Sequence, residues 1–169
     1  MSDEFTLKRI SREGIPAALQ KAERYRVIND PSSAESICLD VLELEPRNQE
    51  ALVTLLLAIS DQLADGPAEG MRRARELLPR LDDEYRRLYY AGIICERGAK
   101  AYVRRATMGS GELAYRWFRE AMDWYQQAEA RRPVGNDESI LRWNTCARIL
   151  SRDEKLRPRV EEQAVPGSE

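Results

Sequence analysis

The chain is predicted to be all-α, with helices paired antiparallel and the pairs stacked as a repeat. Three observations predict this. Apolar residues recur at helical spacing through a series of stretches punctuated by Pro, Gly and Asn-Asp clusters. Ala22, Leu56 and Gly92 hold the same place in successive stretches, 34 and then 36 positions apart, a period typical of helical arrays. One later stretch also repeats itself, since Ala114, Phe118 and Ala121 have the spacing of Ala121, Tyr125 and Ala128. At 169 residues and 43% hydrophobic content the chain is long enough to bury one sizeable core.

Residues 1–12 read as an arm, with Phe5, Leu7 and Ile10 available to pack on the neighbouring helices. Pro16 suits a first helical turn, where its missing amide costs nothing, and Asn29-Asp30-Pro31 closes a helix over 15–29. Ser32 with Glu35 has capping-box spacing and opens a helix over 33–44, which carries Ala34, Ile37, Cys38 and Val41 on one stripe before Pro46. Asn48 caps the next helix, built on Ala51, Leu52, Leu55, Leu56 and Ile59. Asp65-Gly66-Pro67 separates it from a helix with Met71, Ala74, Leu77 and Leu78, whose last turn Pro79 bends or ends. A long helix then runs from Asp83 to about Arg105 through Leu88, Ala91, Gly92, Cys95, Ala99 and Tyr102. Met108-Gly109-Ser110-Gly111 stops it, and a second long helix spans Glu112 to about Ala130. After Pro133-Val134-Gly135-Asn136 a last helix, 137–150, puts Trp143, Cys146, Ala147 and Leu150 on one face. Residues 152–169 have few apolar side chains and two prolines and read as a disordered tail.

The chemistry available to the chain is narrow. There is no histidine, which removes the commonest general base, metal ligand and partner of a nucleophile. Cys38, Cys95 and Cys146 are odd in number and far apart, so they read as buried thiols rather than a metal or redox set. Carboxylates cluster at Glu76, Asp82, Asp83 and Glu84 and again at Glu112, Glu120 and Asp123. Their spacing to arginine suits solvated ion pairs, such as Glu112 with Arg116 or Glu120 with Arg119, better than acid–base work. Gly109-Ser110-Gly111 lacks the lysine and the preceding strand of a phosphate loop. The reading is therefore no enzyme, no cofactor and no metal. No apolar run is long enough to span a bilayer and the start lacks a signal-peptide stretch, so a reducing cytoplasm is the expected location.

Charge is uneven along the chain. The net value is −2, yet residues 71–105 hold 10 basic against 5 acidic side chains. Lys100, Arg104 and Arg105 fall at the end of the first long helix, where they form a basic hairpin tip. Such a tip offers a contact to a polyanion, but nucleic acid is disfavoured because aromatics are not interleaved with the basic residues.

Taken together, these residues resemble the tetratricopeptide repeat, a family of antiparallel helix pairs stacked into a right-handed superhelix. The first unit, 15–46, carries Ala18, Lys21, Ala22 and Tyr25, then Ala34, Cys38, Val41 and Pro46; only Lys21 departs from the pattern. The second, 48–82, carries Leu52, Leu55, Leu56 and Ile59, then Gly70, Ala74 and Leu77, with Asp82 where proline is usual. The third, 83–133, carries Leu88, Ala91, Gly92 and Cys95, then Ala121, Tyr125, Ala128 and Pro133 after an insertion. A terminal helix keeps Trp143, Cys146, Ala147 and Leu150. The resemblance covers residues 13–151 and implies an α-solenoid of about seven helices, in three and a half units.

The resemblance also implies a use. The first helix of each pair lines a concave groove, with Leu19, Val53, Tyr89 and Asn144 along one row and Glu23, Leu57, Ile93 and Arg148 along the next. A third row holds Arg26, Ser60 and Glu96, beside Val27, Asp61 and Arg97. An apolar floor with charged banks suits a partner protein's peptide or helix, held by a few side chains in pockets. The expected function is thus a protein-binding adaptor or assembly subunit. Two competing readings make Val53, Leu57 and Ile93 plain core or fill the groove with the N-terminal arm. Members that clamp a peptide's terminal carboxylate use amines and amides where this chain has Leu19, Glu23 and Thr54, so that clamp is absent. A homodimer is the further alternative, because the last helix has no following partner.

Overall fold

A computed structural model describes residues 5–158 and, among them, shows seven α-helices and no strand. The helices are α1 (Ile15–Val27), α2 (Pro31–Leu44), α3 (Gln49–Ser60), α4 (Pro67–Arg75), α5 (Glu84–Arg105), α6 (Ser110–Glu129) and α7 (Glu138–Arg152). Three short 3-10 turns sit at Arg12–Gly14, Leu63–Asp65 and Leu78–Arg80. Residues 1–4 of the expected arm and 159–169 of the expected tail lie outside the described residues.

Local chemistry explains most boundaries and corrects several expectations. α1 ends because Asn29 adopts a left-handed conformation (φ 62°), and the Asp30 amide donates back to the Tyr25 carbonyl at 2.8 Å. α2 begins at Pro31 rather than 33, because proline's fixed φ suits the first turn. Asp30 caps it by accepting from the Ser33 amide at 3.2 Å, which holds its carboxyl below the usual range, the Ser33 hydroxyl being the larger cause. The expected Ser32/Glu35 capping box does not form; Glu35 instead pairs with Arg73 and accepts from Gln62. Asn48 caps α3 as expected, accepting from the Ala51 amide at 2.9 Å. α4 stops at Arg75, four residues short of Pro79, which is carried by a 3-10 turn. α6 starts inside the expected Gly-Ser stop, because Ala106 (φ 49°) and Gly109 (φ 78°) complete the reversal before Ser110.

Consecutive helices pack on one another from α1 to α7, and α1–α3 and α3–α5 also touch. Two apolar clusters result. One is centred on α1–α4 and reaches Ile94 and Ala101; the other joins α5, α6 and α7. Leu57, Tyr90, Tyr102 and Trp117 border both, so the clusters are continuous. Small residues sit where helices approach. A Cβ added at Gly92 would lie 2.5 Å from the Tyr125 ring, and one at Gly98 would collide with Met71. Gly92 thus has the close-approach role expected of the matched small residues, and Gly98 adds a second such contact that the matched spacing does not mark.

Residues 153–156 of the expected tail are docked on the helices. Asp153 and Leu156 turn the chain back, and Leu156 is buried in the α5–α7 cluster. The Lys155 carbonyl lies so near Gly111 that an added Cβ there would be 2.6 Å from it. The last helix therefore finds a cover in its own chain, because one leucine in a polar segment gains by leaving water.

Candidate functional site

The expected groove residues lie on α1, α3 and α5, which touch in series, and on α7, which reaches α5 through the Arg142–Glu96 pair. These residues sort into three environments. Val53, Leu57 and Tyr89 are half-buried and form an apolar floor bordering the core clusters. Tyr89 stacks on Tyr85 with ring centres 5.8 Å apart and meets Tyr90 edge-on at 5.2 Å. Burial pushes the Tyr89 phenol up to about 12.

Leu19 and Ile93 do not line this face. Leu19 is 3% exposed in the α1–α4 core and Ile93 5% exposed in the α5–α7 core. An apolar side chain at the margin of a helix face gains more beneath the neighbouring helix than in contact with water. Ser60 and Glu96 from the third row are likewise buried.

The charged residues form a ladder that runs from α1 past the end of α3 to α5. Glu23 accepts from Thr54 Oγ1 at 2.9 Å and meets Arg26 at 3.4 Å. Arg26 of α1 donates to Asp61, the residue that follows α3, at 2.9 Å, and Asp61 accepts from Arg97 of α5 at 2.6 Å. Arg97 also donates to Ser60 Oγ at 2.7 Å and to the Leu57 carbonyl at 3.0 Å. Burial lowers the Arg97 pKa, and the nearby Arg26 and Arg142 cations add to that against the pull of Asp61.

Glu96 makes the next rung. It is fully buried and accepts from Tyr125 Oη at 2.7 Å, from Lys100 at 2.6 Å, and from Arg142 of α7 at 2.8 and 3.1 Å. Burial opposes the charge on Arg142, but Glu96 and Tyr125 raise its pKa on balance. Burial first and Glu96 second push the Tyr125 phenol far above its ordinary range. The Glu96–Lys100 contact follows from i,i+4 spacing and is readable in the sequence. Arg142, 46 positions from Glu96, carries no local signal. Arg142 therefore takes the place expected of Asn144 and Arg148, which are half-buried and exposed on α7 and make no side-chain bond to the ladder among the described residues.

The basic tip is not a unit. Lys100 is held by Glu96, whereas Arg104 and Arg105 are exposed at the end of α5 and make no salt bridge among the described residues. Arg104 turns to an open cleft of about 370 Å³ shared with Arg26, Val27, Asp61, Arg97 and Lys100. Residues 153–156 fold over the α5–α6 turn, so it does not project freely.

The carboxylates of the first cluster, and Glu120 of the second, are taken up by structure, whereas no Glu112–Arg116 pair forms among the described residues. Glu76 pairs with Arg72, Asp82 with Arg47, Glu84 with Arg131, and Asp83 caps α5. Glu120 reaches Arg75 of α4 at 3.1 Å rather than its neighbour Arg119, because Arg75 is already fixed 4.8 Å over the Trp117 ring. Among the described residues no three Cys, Asp or Glu converge to hold a metal ion. The three cysteines are buried and unpaired, and burial pushes each thiol up to about 12. Among the described residues no helix is long and apolar enough to cross a membrane.

The arm does not fill the face within the described residues. Leu7 to Ile10 run beside Leu39, Glu43 and Leu44 of α2, on the opposite helix of the first pair. No family, curated protein or solved structure matches the chain.

Proposed function

We propose that the chain is a non-catalytic adaptor or assembly subunit of the cytoplasm. In this reading its helix pairs stack as a right-handed, tetratricopeptide-like superhelix and hold a partner's peptide or helix on the concave side. The carrying observation is the half-buried floor of Val53, Leu57 and Tyr89 on a face that three successive first helices share. Floor side chains that border the core yet meet water are the anchors such grooves use, and the ion ladder beside them keeps the helices in fixed relation. The position of the arm beside α2 supports the reading, because Leu7 to Ile10 lie there rather than over the floor. Self-association has weaker support: Leu156 covers the last helix on its core side, although Leu141 remains 62% exposed.

The test is affinity capture from cell extract, quantified by mass spectrometry, with wild type against a Val53→Asp, Leu57→Asp double variant. The variant is first checked for native circular dichroism. The expected result is a folded variant that loses a defined subset of partners. Equal retention by a folded variant contradicts the groove. Ile93 is unsuitable for this test, since an aspartate there would strand a charge in the core.

A further inference from the structure

We propose that the cleft where the C-terminal ends of α1 and α3 meet α5 receives the carboxylates of an acidic segment in a partner protein. The proposal rests on the groove reading and supplies the partner's chemistry.

The cleft joins the floor at Leu57, whose carbonyl already accepts from Arg97. Arg26, Arg97, Lys100 and Arg104 line it, and Asp61 is the one carboxylate among its walls. Counting the groups tied to them, five cations, with Arg142, face three carboxylates, Glu23, Asp61 and Glu96, an excess of two positive charges. The carbonyl ends of α1 and α3 oppose an anion, each as roughly half a negative charge, and so take back about one of the two. Arg104 is the cleft cation left without a carboxylate partner among the described residues, since Arg26, Arg97 and Lys100 are each paired. Arg97 points the same way: burial first, and then the neighbouring Arg26 and Arg142 cations, lower its affinity for its proton, and an added anion offsets the cationic part.

Two features favour a peptide over nucleic acid. No aromatic side chain lines the cleft for a base to stack on. Val27, 84% exposed at the lip, instead offers an apolar contact beside the cations, which suits a segment that mixes acidic and aliphatic residues.

The experiment is fluorescence anisotropy of the full chain with three probes: a labelled peptide of Asp, Glu and Leu, its Asn, Gln and Leu counterpart, and single-stranded RNA of matching charge. The acidic peptide is expected to bind and to weaken with added salt. Its amide counterpart is expected to bind at least about tenfold more weakly, since charge-assisted bonds are lost. Arg104→Glu should weaken the acidic peptide by at least about tenfold, while Arg104→Lys stays close to wild type. Arg105→Glu, an equal charge change outside the cleft, should leave binding unaltered. No acidic-peptide binding, equal binding by Arg104→Glu, or tighter Arg104-dependent binding of RNA overturns the proposal. Capture that depends on Val53 and Leu57 but not on Arg104 removes the cleft and leaves the groove. Peptide binding that depends on Arg104, with capture indifferent to Val53 and Leu57, removes the groove and leaves the cleft.

Discussion

Gly92 shows how one residue sets the distance between two helices. Hydrogen in place of a methyl lets α5 approach the Tyr125 ring, whose hydroxyl is held by Glu96 and whose ring is fully buried. The ring is thus pinned at both ends and has little room to yield. Gly92→Ala gains some helix propensity but drives a Cβ into that ring, and overpacking of this kind costs about 1 to 3 kcal/mol. A urea midpoint lowered accordingly, with unchanged slope, is the expected outcome; a stabilised variant would show that Tyr125 moves freely. Such matched small positions are legible in the sequence from their spacing alone. Their partners are not, because spacing marks a face without saying which side chain fills it. Leu19 and Ile93 show the same limit: the register puts them near the groove, and only three-dimensional neighbours decide that they are core.

At the scale of elements, helix existence is readable and the joints are harder. The stripes of α1, α3 and α5 are clear from periodicity, and Asn48 and Asp83 cap where local rules put them. Pro31 and Pro67 look like breakers in the sequence although each opens a helix, since proline marks both an end and a beginning. Segment 153–156 has the polar composition of a tail, but a single leucine is enough to dock it. The ties that join α1, α3, α5 and α7 lie beyond local reading. Glu96 joins α5 to α7 through Arg142, with Lys100 and Tyr125 completing its partners. Glu96→Gln keeps the shape and removes the charge, leaving two cations opposite a neutral amide. Removing one member of a buried ion pair costs about 3 to 5 kcal/mol, and the lower end applies here because Lys100 and Arg142 both reach solvent. Chemical denaturation should show a loss of about 3 kcal/mol. A change near zero would mean that the network contributes no net stability.

For the whole molecule, the absence of histidine and the burial of thiols and phenols predict a definite pH profile. No side chain with an ordinary pKa near neutrality is present, so stability should be flat between about pH 6 and 8. Cys38, Cys95, Cys146 and Tyr89 are raised to about 12, and Tyr125 is raised as well. The native state therefore keeps protons that the unfolded chain releases above about 8.5 for thiols and 10 for phenols. Stability from these groups is complete below those values and is lost as pH climbs toward 12. Urea unfolding at neutral pH and at pH 10 checks the sign. A steady decline between pH 6 and 8, or equal stability at neutral pH and pH 10, would contradict it.

The central claim at this scale is that the side shared by α1, α3 and α5 is where a partner docks. Hydrogen–deuterium exchange of the full chain, free and loaded with a captured partner, tests it most directly. Slowed exchange is expected across α1, α3 and α5, including the segments that carry Leu57, Tyr89 and Arg97, with α2 and α4 unchanged. Protection confined to α2, α4 and α6 would contradict it.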